Sequence, residues 1–281
     1  WPATMAELQE QSLFLQTAPG LRMILPPLAG SYAALVNSPQ GLVLVNRNDT
    51  GVGWQLCTRG AYDREQMQLL DALARAAPPG AVVLDIGANI GIAALTFARA
   101  VGPAGLVHAY EPQRAVFHML AGNMALNSIN NVHCHYLAVG SASGSARVPR
   151  MDPHAGISFG SVELNREQQS DAKQQAAVAQ VDSVAQTSVD ALALPRVDLI
   201  KIDVEGMEAE VLAGAAATLA ARRPLLYVEY LKSGKAALAR ILAAAGYTLF
   251  DAGDNFVCIS HGDSRLARLV ADLQLQPWNG A

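Results

Sequence analysis

From Ala81 onward the chain repeats one pattern, a short run of apolar residues followed by a stretch with helical spacing. Ala81, Val82, Val83, Leu84 and Ile86 form a continuous apolar run broken only by Asp85, as expected of a parallel strand covered on both faces. The Ala- and Leu-rich stretch from Ile90 to Ala100 predicts a helix, and Leu106, Val107, Ala109 and Tyr110 a second strand that ends at Glu111. A helix over Arg114 to Leu126 and a third strand over Asn131 to Leu137 follow. Further along, Ser233 to Ala245 predicts a helix, and Tyr247 to Asp251 and Phe256 to Ile259 predict two strands joined by the turn AGDN. Upstream, Gly41 to Val45 and Gly53 to Cys57 are expected to be strands around the turn-forming NRNDTG. Asp63 to Ala77 places Met67, Leu70, Leu73 and Ala74 near helical spacing and is stopped by Pro78, Pro79 and Gly80.

A second block, Val197 to Leu212, is expected to be a strand leading into a helix. Lys201, Asp203 and Glu205 alternate with Ile200, Ile202 and Val204, so period two puts the three charges on one face. Burying one charge without a partner costs several kcal/mol. The charges therefore either satisfy one another or line a site at the strand's carboxyl end, where open α/β sheets bind ligands. Glu208 and Glu210 fall in the first turn of the helix, where its dipole favours them.

The turn after the first strand decides the cofactor class. Dinucleotide folds use GxGxxG, whose glycines seat a pyrophosphate on a helix N-terminus. Here the turn is DxGxxxG, with Ala88 and Asn89 following Gly87 and no GxG pair. Glu111, 24 residues beyond Gly87, can accept hydrogen bonds from a ribose diol. This arrangement resembles the S-adenosylmethionine (SAM) site of Rossmann-like methyltransferases. DIGANIG (85–91), YEP (110–112), the NMALN segment ending at Asn127, SVDAL (188–192), KIDVEGMEAEVLAG (201–214) and YVEY (227–230) follow one another as in the FkbM family of SAM-dependent methyltransferases. The resemblance covers roughly residues 60–230, and the KIDVEG block is its specific part.

The resemblance implies an α/β, Rossmann-like, seven-stranded methyltransferase sheet with a small N-terminal β/α extension, here residues 1–80 ahead of a methyltransferase domain over 81–281. It implies O-methylation of a hydroxyl on a sugar or polyketide-type small molecule, with SAM as cofactor. Asp85, Gly87, Ala88, Asn89, Gly91, Glu111 and Asp203 are the cofactor-binding candidates. Asp203, Glu205, Lys201 and Glu229 are the catalytic ones, since methyl transfer to an alcohol needs the acceptor held in line and its proton removed or tolerated. Lys201 acts as a base only if burial deprotonates it, and otherwise neutralises Asp203 or Glu205. Converging carboxylates at Asp203, Glu205 and Glu229 can also bind a hard cation such as Mg²⁺; the family does not demand one, and no metal is assigned. His154 is a further candidate base, while His133 and His135, flanking Cys134, fit a solvated strand edge better than a metal site. The segment Val148 to Val184 is either a surface hairpin with a mobile loop or the part that selects the acceptor.

Composition narrows the alternatives. A net charge of −4 offers no footprint for nucleic acid or an anionic membrane surface, and no run reaches the roughly 18 apolar residues of a membrane span. Three widely spaced cysteines suggest neither a disulfide framework nor a zinc site, so a cytoplasmic setting is expected. No signal peptide is visible after Trp1. A non-catalytic SAM-binding module and a nucleotide-dependent oxidoreductase are the competing classes, the latter lacking its pyrophosphate turn. The oligomeric state stays open.

Overall fold

The computed structural model describes residues 13–16, 21–24, 31–164, 171–278 and 280. The first apolar run forms β5 (Val82–Ile86), after a short antiparallel pair, β1 (Leu13–Gln16) and β2 (Leu21–Ile24), and a hairpin, β3 (Ala33–Ser38) and β4 (Gly41–Asn46). The helix α3 (Ile92–Val101), strand β6 (Leu106–Tyr110), helix α4 (Arg114–Leu126) and strand β7 (Val132–His135) follow in the expected order. After a side sheet of β8 (Ala138–Val139), β9 (Gly144–Met151) and β10 (Val178–Thr187), with the short helix α5 (Ala172–Ala177), the chain returns to the main sheet as β11 (Leu199–Ile202). Helices α6 (Glu208–Ala213) and α7 (Ala216–Arg222), strand β12 (Leu225–Glu229), helix α8 (Lys235–Ala244) and strands β13 (Tyr247–Ala252) and β14 (Asn255–Ser260) complete it, with α9 (Leu266–Asp272) and the two-residue β15 (Gln276–Pro277) last.

The main sheet runs β7–β6–β5–β11–β12–β14–β13, extended by β15 at one edge. From β7 to β12 neighbouring strands are parallel, and β14 is antiparallel to both β12 and β13. The closing antiparallel pair is thus as expected. Alternate residues feed two cores: Val83, Val107 and Leu199 pack with α3 and α4 on one face, and Leu84, Ile86 and Ile200 with α6 to α8 on the other. The chain winds outward from β5 through β6 to β7, then crosses back to β11 beside β5. Strand order therefore reverses between β5 and β11, and a crevice opens at their carboxyl ends.

One expected strand is a helix. Residues 52–59 form α1 (Val52–Arg59), with Val52 and Leu56 buried one helical turn apart. The Asp49 carboxylate accepts the backbone N–H groups of Gly51 and Gly53 at the helix start, and Gly60 ends it in the left-handed conformation. The expected helix from Asp63 is α2 (Arg64–Ala76), capped by Asp63 and buried through Met67, Leu70, Leu73 and Ala74.

The two asparagines of NMALN fasten the N-terminal hairpin to the sheet domain. Asn123, in the last turn of α4, and Asn127, its C-cap, lie one turn apart and face alternate residues of β4. Asn123 accepts from the Leu44 N–H at 2.6 Å and donates to the Leu44 and Ile90 carbonyls, while Asn127 pairs with both backbone groups of Leu42. The rise of one helical turn is close to that of two strand residues, so two side-chain amides satisfy a strand edge that, among the described residues, no further strand covers. Among the described residues, no helix is long and apolar enough to cross a membrane.

Candidate active site

The turn from β5 into α3 is shaped by the protein's own packing. Gly87 has φ +79°, and a Cβ there would stand 1.8 Å from the Asp203 carbonyl oxygen, so this glycine lets the end of β11 pass against the turn. Gly91 has φ +91°, and a Cβ would meet Leu120 and Met124 of α4. It lies away from the cleft. Asn89 adopts φ +50°, and its Oδ1 accepts the Ile90 N–H at 2.7 Å, so its side chain shapes the turn.

Register brings the charges together. Lys201 of β11 pairs in register with Asp85 of β5, on the face that carries α3. Its ammonium lies 3.4 Å from Asp85 and 3.3 Å from Asp203, and donates to the Gly87 carbonyl at 3.1 Å. Burial works to discharge Lys201, but Asp203 and Asp85 outweigh it and hold the ammonium above the usual lysine range. Its geometry is that of an ion-pair partner to Asp85 and Asp203. Asp85 is 0% exposed, and burial raises its pKa against the pull of Lys201. It does not line the cleft.

The predicted alternation through Glu205 stops short. β11 ends at Ile202, and the Glu208 carboxylate accepts the N–H groups of Val204 and Gly206, turning the chain into α6. Glu205 sits in that turn with φ +58° and pairs at 3.1 Å with Lys232, not with Lys201. Burial lifts its pKa to about 7, with Asp203 adding and Lys232 opposing. Glu229, at the end of β12, leaves one buried oxygen without a hydrogen bond, and burial with Asp203 and Glu205 beside it pushes its pKa up to about 9. Asp203, Glu205 and Glu229 each offer an oxygen within 4.8 Å of the others, close enough to share one hard cation or one proton.

Glu111 closes the opposite wall. It is 4% exposed, and its carboxylate accepts the backbone N–H groups of Asn89 at 3.0 Å and Gln113 at 2.8 Å. Burial nevertheless raises its pKa to about 7. A cleft of about 180 Å³ lies between these walls, lined by Gly87, Asn89, Glu111, Asp203, Glu205 and Glu229, and a smaller adjoining pocket touches Ala88 and Lys201. A larger surface groove of about 530 Å³ beside α2 shares only Tyr62 with it and holds none of the predicted site residues.

Several lining residues were not named individually from the sequence. Gln55 and Tyr62 come from the N-terminal elements, and Ser158, Gly160, Ser161, Val162 and Leu164 from the segment after β9. The region Val148 to Val184 is therefore both a β9–β10 hairpin and a wall of the cleft, while residues 165–170 of its polar stretch lie outside the described residues. Asp49 also binds the Phe159 N–H at 3.2 Å and so joins this wall to α1. His154 is exposed, stands edge-on to Tyr32 and does not line the cleft. His133 and His135 lie on edge strand β7, where His135 stacks on Tyr110 with its Nε2 3.1 Å from His108 Nδ1; burial draws the His108 pKa down to about 4.

The mostly parallel sheet, with acids ringing its switch-point crevice, defines a Rossmann-like α/β class. The FkbM methyltransferase domain matches residues 85–249, and the chain belongs to that family. A protein of Beauveria bassiana (strain ARSEF 2860) named Methyltransferase 1 is 30% identical over 148 residues, spanning 49% of this chain and 59% of the relative. The chain thus matches less than two thirds of that relative's length. Methyltransferase FkbM from Methylobacillus flagellatus KT is 18% identical with TM-score 0.44, covering 64% of this chain and 43% of that one. A methyltransferase from Geobacter sulfurreducens is 15% identical with TM-score 0.43, covering 74% and 85%.

Proposed function

We propose that this protein is a SAM-dependent O-methyltransferase acting on a hydroxyl of a sugar or polyketide-type small molecule, in the cytoplasm. The observation that carries it is the switch-point cleft, which sets Glu111 and the β5–α3 turn on one side against Asp203, Glu205 and Glu229 on the other. Membership of the FkbM family supports the same assignment. The residues fit the cofactor: Glu111 has carboxylate lone pairs beyond the two backbone donors it already serves, suited to a ribose diol, and Gly87, Ala88 and Asn89 present backbone at the cleft wall. Asp85 acts from behind, as an anion that keeps Lys201 charged. Bound SAM supplies a methyl group activated by a positive sulfur.

The chain's own part is to hold the acceptor and receive its proton. Glu229 carries a proton at neutral pH and Asp203 is held against Lys201, which leaves Glu205 and Asp203 as proton acceptors and Glu229 as a hydrogen-bond donor to the acceptor oxygen. The polar lining from Gln55, Gln113, Ser158 and Ser161 favours a polyhydroxylated acceptor over an apolar one. Asp203→Asn and Glu205→Gln are expected to keep S-adenosylhomocysteine affinity while lowering turnover about 10²- to 10⁴-fold. Transfer of label from SAM into fractionated cell extract supplies the assay. Stabilisation of the wild type by NADH but not by S-adenosylhomocysteine in a thermal-shift comparison would refute the assignment.

A further inference from the structure

Lys232 stands in the turn between β12 and α8, where no motif pointed to it. Its ammonium lies 3.1 Å from a Glu205 oxygen, donates to the Ser161 carbonyl at 2.5 Å and lies 4.0 Å from Glu163, a carboxylate that is 3% exposed. These partners come from separate parts of the chain. Glu205 follows β11, whereas Ser161 and Glu163 belong to the segment 158–164 after β9, which contributes its own residues to the cleft lining.

That wall has other anchors, and none of them reaches the carboxylates. Gln113 donates to the Phe159 carbonyl at 2.9 Å, and Gln174 to the Ser158 carbonyl at 2.9 Å and the Ser161 hydroxyl at 2.6 Å. Asp49 accepts the Phe159 N–H. Lys232 joins the wall to the carboxylate cluster directly, and with a side chain only 24% exposed its ion pair is shielded from the screening that weakens surface pairs. The acidic groups around Glu205 are Asp203 beside it, Glu208 of α6 and Glu229 of β12, and the cluster's other cation, Lys201, pairs with Asp203 rather than with Glu205. Lys232 is thus the cation paired with Glu205 inside an acidic cluster and, through the same ammonium, holds the 158–164 wall.

We propose that Lys232 is a positioning residue for the acceptor: it couples Glu205 to segment 158–164, so the carboxylate and the wall that face the acceptor are set together. The cofactor side, at Gly87 to Asn89 and Glu111, makes no contact with it. The word acceptor rests on the methyltransferase assignment above, whereas the coupling is a property of the chain alone.

A double-mutant cycle read by hydrogen exchange tests the coupling in the full chain, with and without S-adenosylhomocysteine. Lys232→Met is expected to speed exchange in peptides over 157–164 at least tenfold, and Lys232→Arg to restore most of the protection. Glu205→Gln alone should speed the same peptides several-fold, although they belong to a separate segment of the chain, and should add less than twofold in the Lys232→Met background. S-adenosylhomocysteine affinity should stay within twofold of wild type in Lys232→Met. With labelled SAM and fractionated extract, that variant should raise the extract concentration for half-maximal transfer more than it lowers the maximal rate. Unchanged exchange over 157–164 in Glu205→Gln, fully multiplicative effects of the two substitutions, or a fall confined to maximal rate would each overturn the proposal. If Lys232→Met does not fold, Lys232→Gln takes its place in the cycle. Failure of the wild type to bind S-adenosylhomocysteine would instead refute the methyltransferase assignment and leave the exchange cycle readable.

Discussion

Replacing Lys201 by methionine keeps the length of the side chain and removes the ammonium that answers Asp85. In the wild type that ammonium is 6% exposed and sits 3.4 Å from a carboxylate that is fully buried. Removing one member of a buried pair costs about 3–5 kcal/mol, because the remaining charge has neither water nor partner. For a chain of this size each kcal/mol moves the melting temperature by roughly 2–4 °C. The melt of Lys201→Met should therefore fall by about 6–20 °C at pH 8. The pH dependence separates this cause from lost packing. Burial raises the Asp85 pKa in the folded state, so the native protein binds the proton more tightly than the unfolded chain. The penalty of a charged Asp85 is then fully present above the folded pKa and vanishes as pH falls towards the unfolded value. Lys201 is charged in both states from pH 5 to 8, so the wild-type reference does not change through Lys201 in that window. The gap between variant and wild type should be widest at pH 8 and narrow at pH 5. Adding Asp85→Asn to Lys201→Met should recover part of the loss at pH 8. Calorimetry across this range is the assay, and a variant within ~2 °C of wild type at pH 8, or with an equal deficit at both pH values, would refute the reasoning.

Glu111→Ala removes a carboxylate whose hydrogen bonds to two hydroxyls are each worth about 1.5–3 kcal/mol, so S-adenosylhomocysteine binding should weaken at least tenfold by titration calorimetry. Glu229 has a folded pKa near 9, far above the ordinary carboxylate value, so the native state favours its proton and wild-type stability should fall as pH rises towards 9. Glu229→Gln, which cannot ionise, should flatten that fall between pH 6 and 9, and parallel stability curves would count against the proton's location. Asn123→Ala leaves the Leu44 and Ile90 backbone groups without their side-chain partner and should cost about 2–3 kcal/mol in urea unfolding, with S-adenosylhomocysteine still bound by the folded fraction. A loss under about 0.5 kcal/mol would show that water replaces the amide at β4.

The sequence by itself determined the elements whose signals are local. β5, α3, β6 and α4 follow from apolar runs, helical spacing and stop residues within a dozen positions, and DxGxxxG with Glu111 excluded the pyrophosphate turn. The helix at Val52 was missed because its N-cap is Gly51, the carboxylate that binds its first N–H groups comes from Asp49 further upstream, and its buried pair Val52 and Leu56 also fits a short apolar strand. The strand alternation through Glu205 failed for a related reason: the carboxylate of Glu208 binds backbone behind it and ends β11 early. Period two cannot report a side chain that folds back on its own turn.

Tertiary structure alone decided who answers which charge. Lys201 meets Asp85 because parallel register sets residue 201 beside residue 85, a pairing of positions 116 residues apart that no spacing encodes. Glu205 meets Lys232 because β11 and β12 end side by side, and Gly87 is a glycine because the Asp203 carbonyl passes where its Cβ would stand. The wall over 158–164 reaches the cleft through Gln113, Gln174 and Asp49, each remote in sequence from the segment it holds or placed on another element. Hydrophobic periodicity specifies which face of an element is buried, since burial scales with apolar area whatever the neighbour. Charge partners and close backbone contacts depend on distances of a few ångströms between elements, and those exist only once the sheet has assembled.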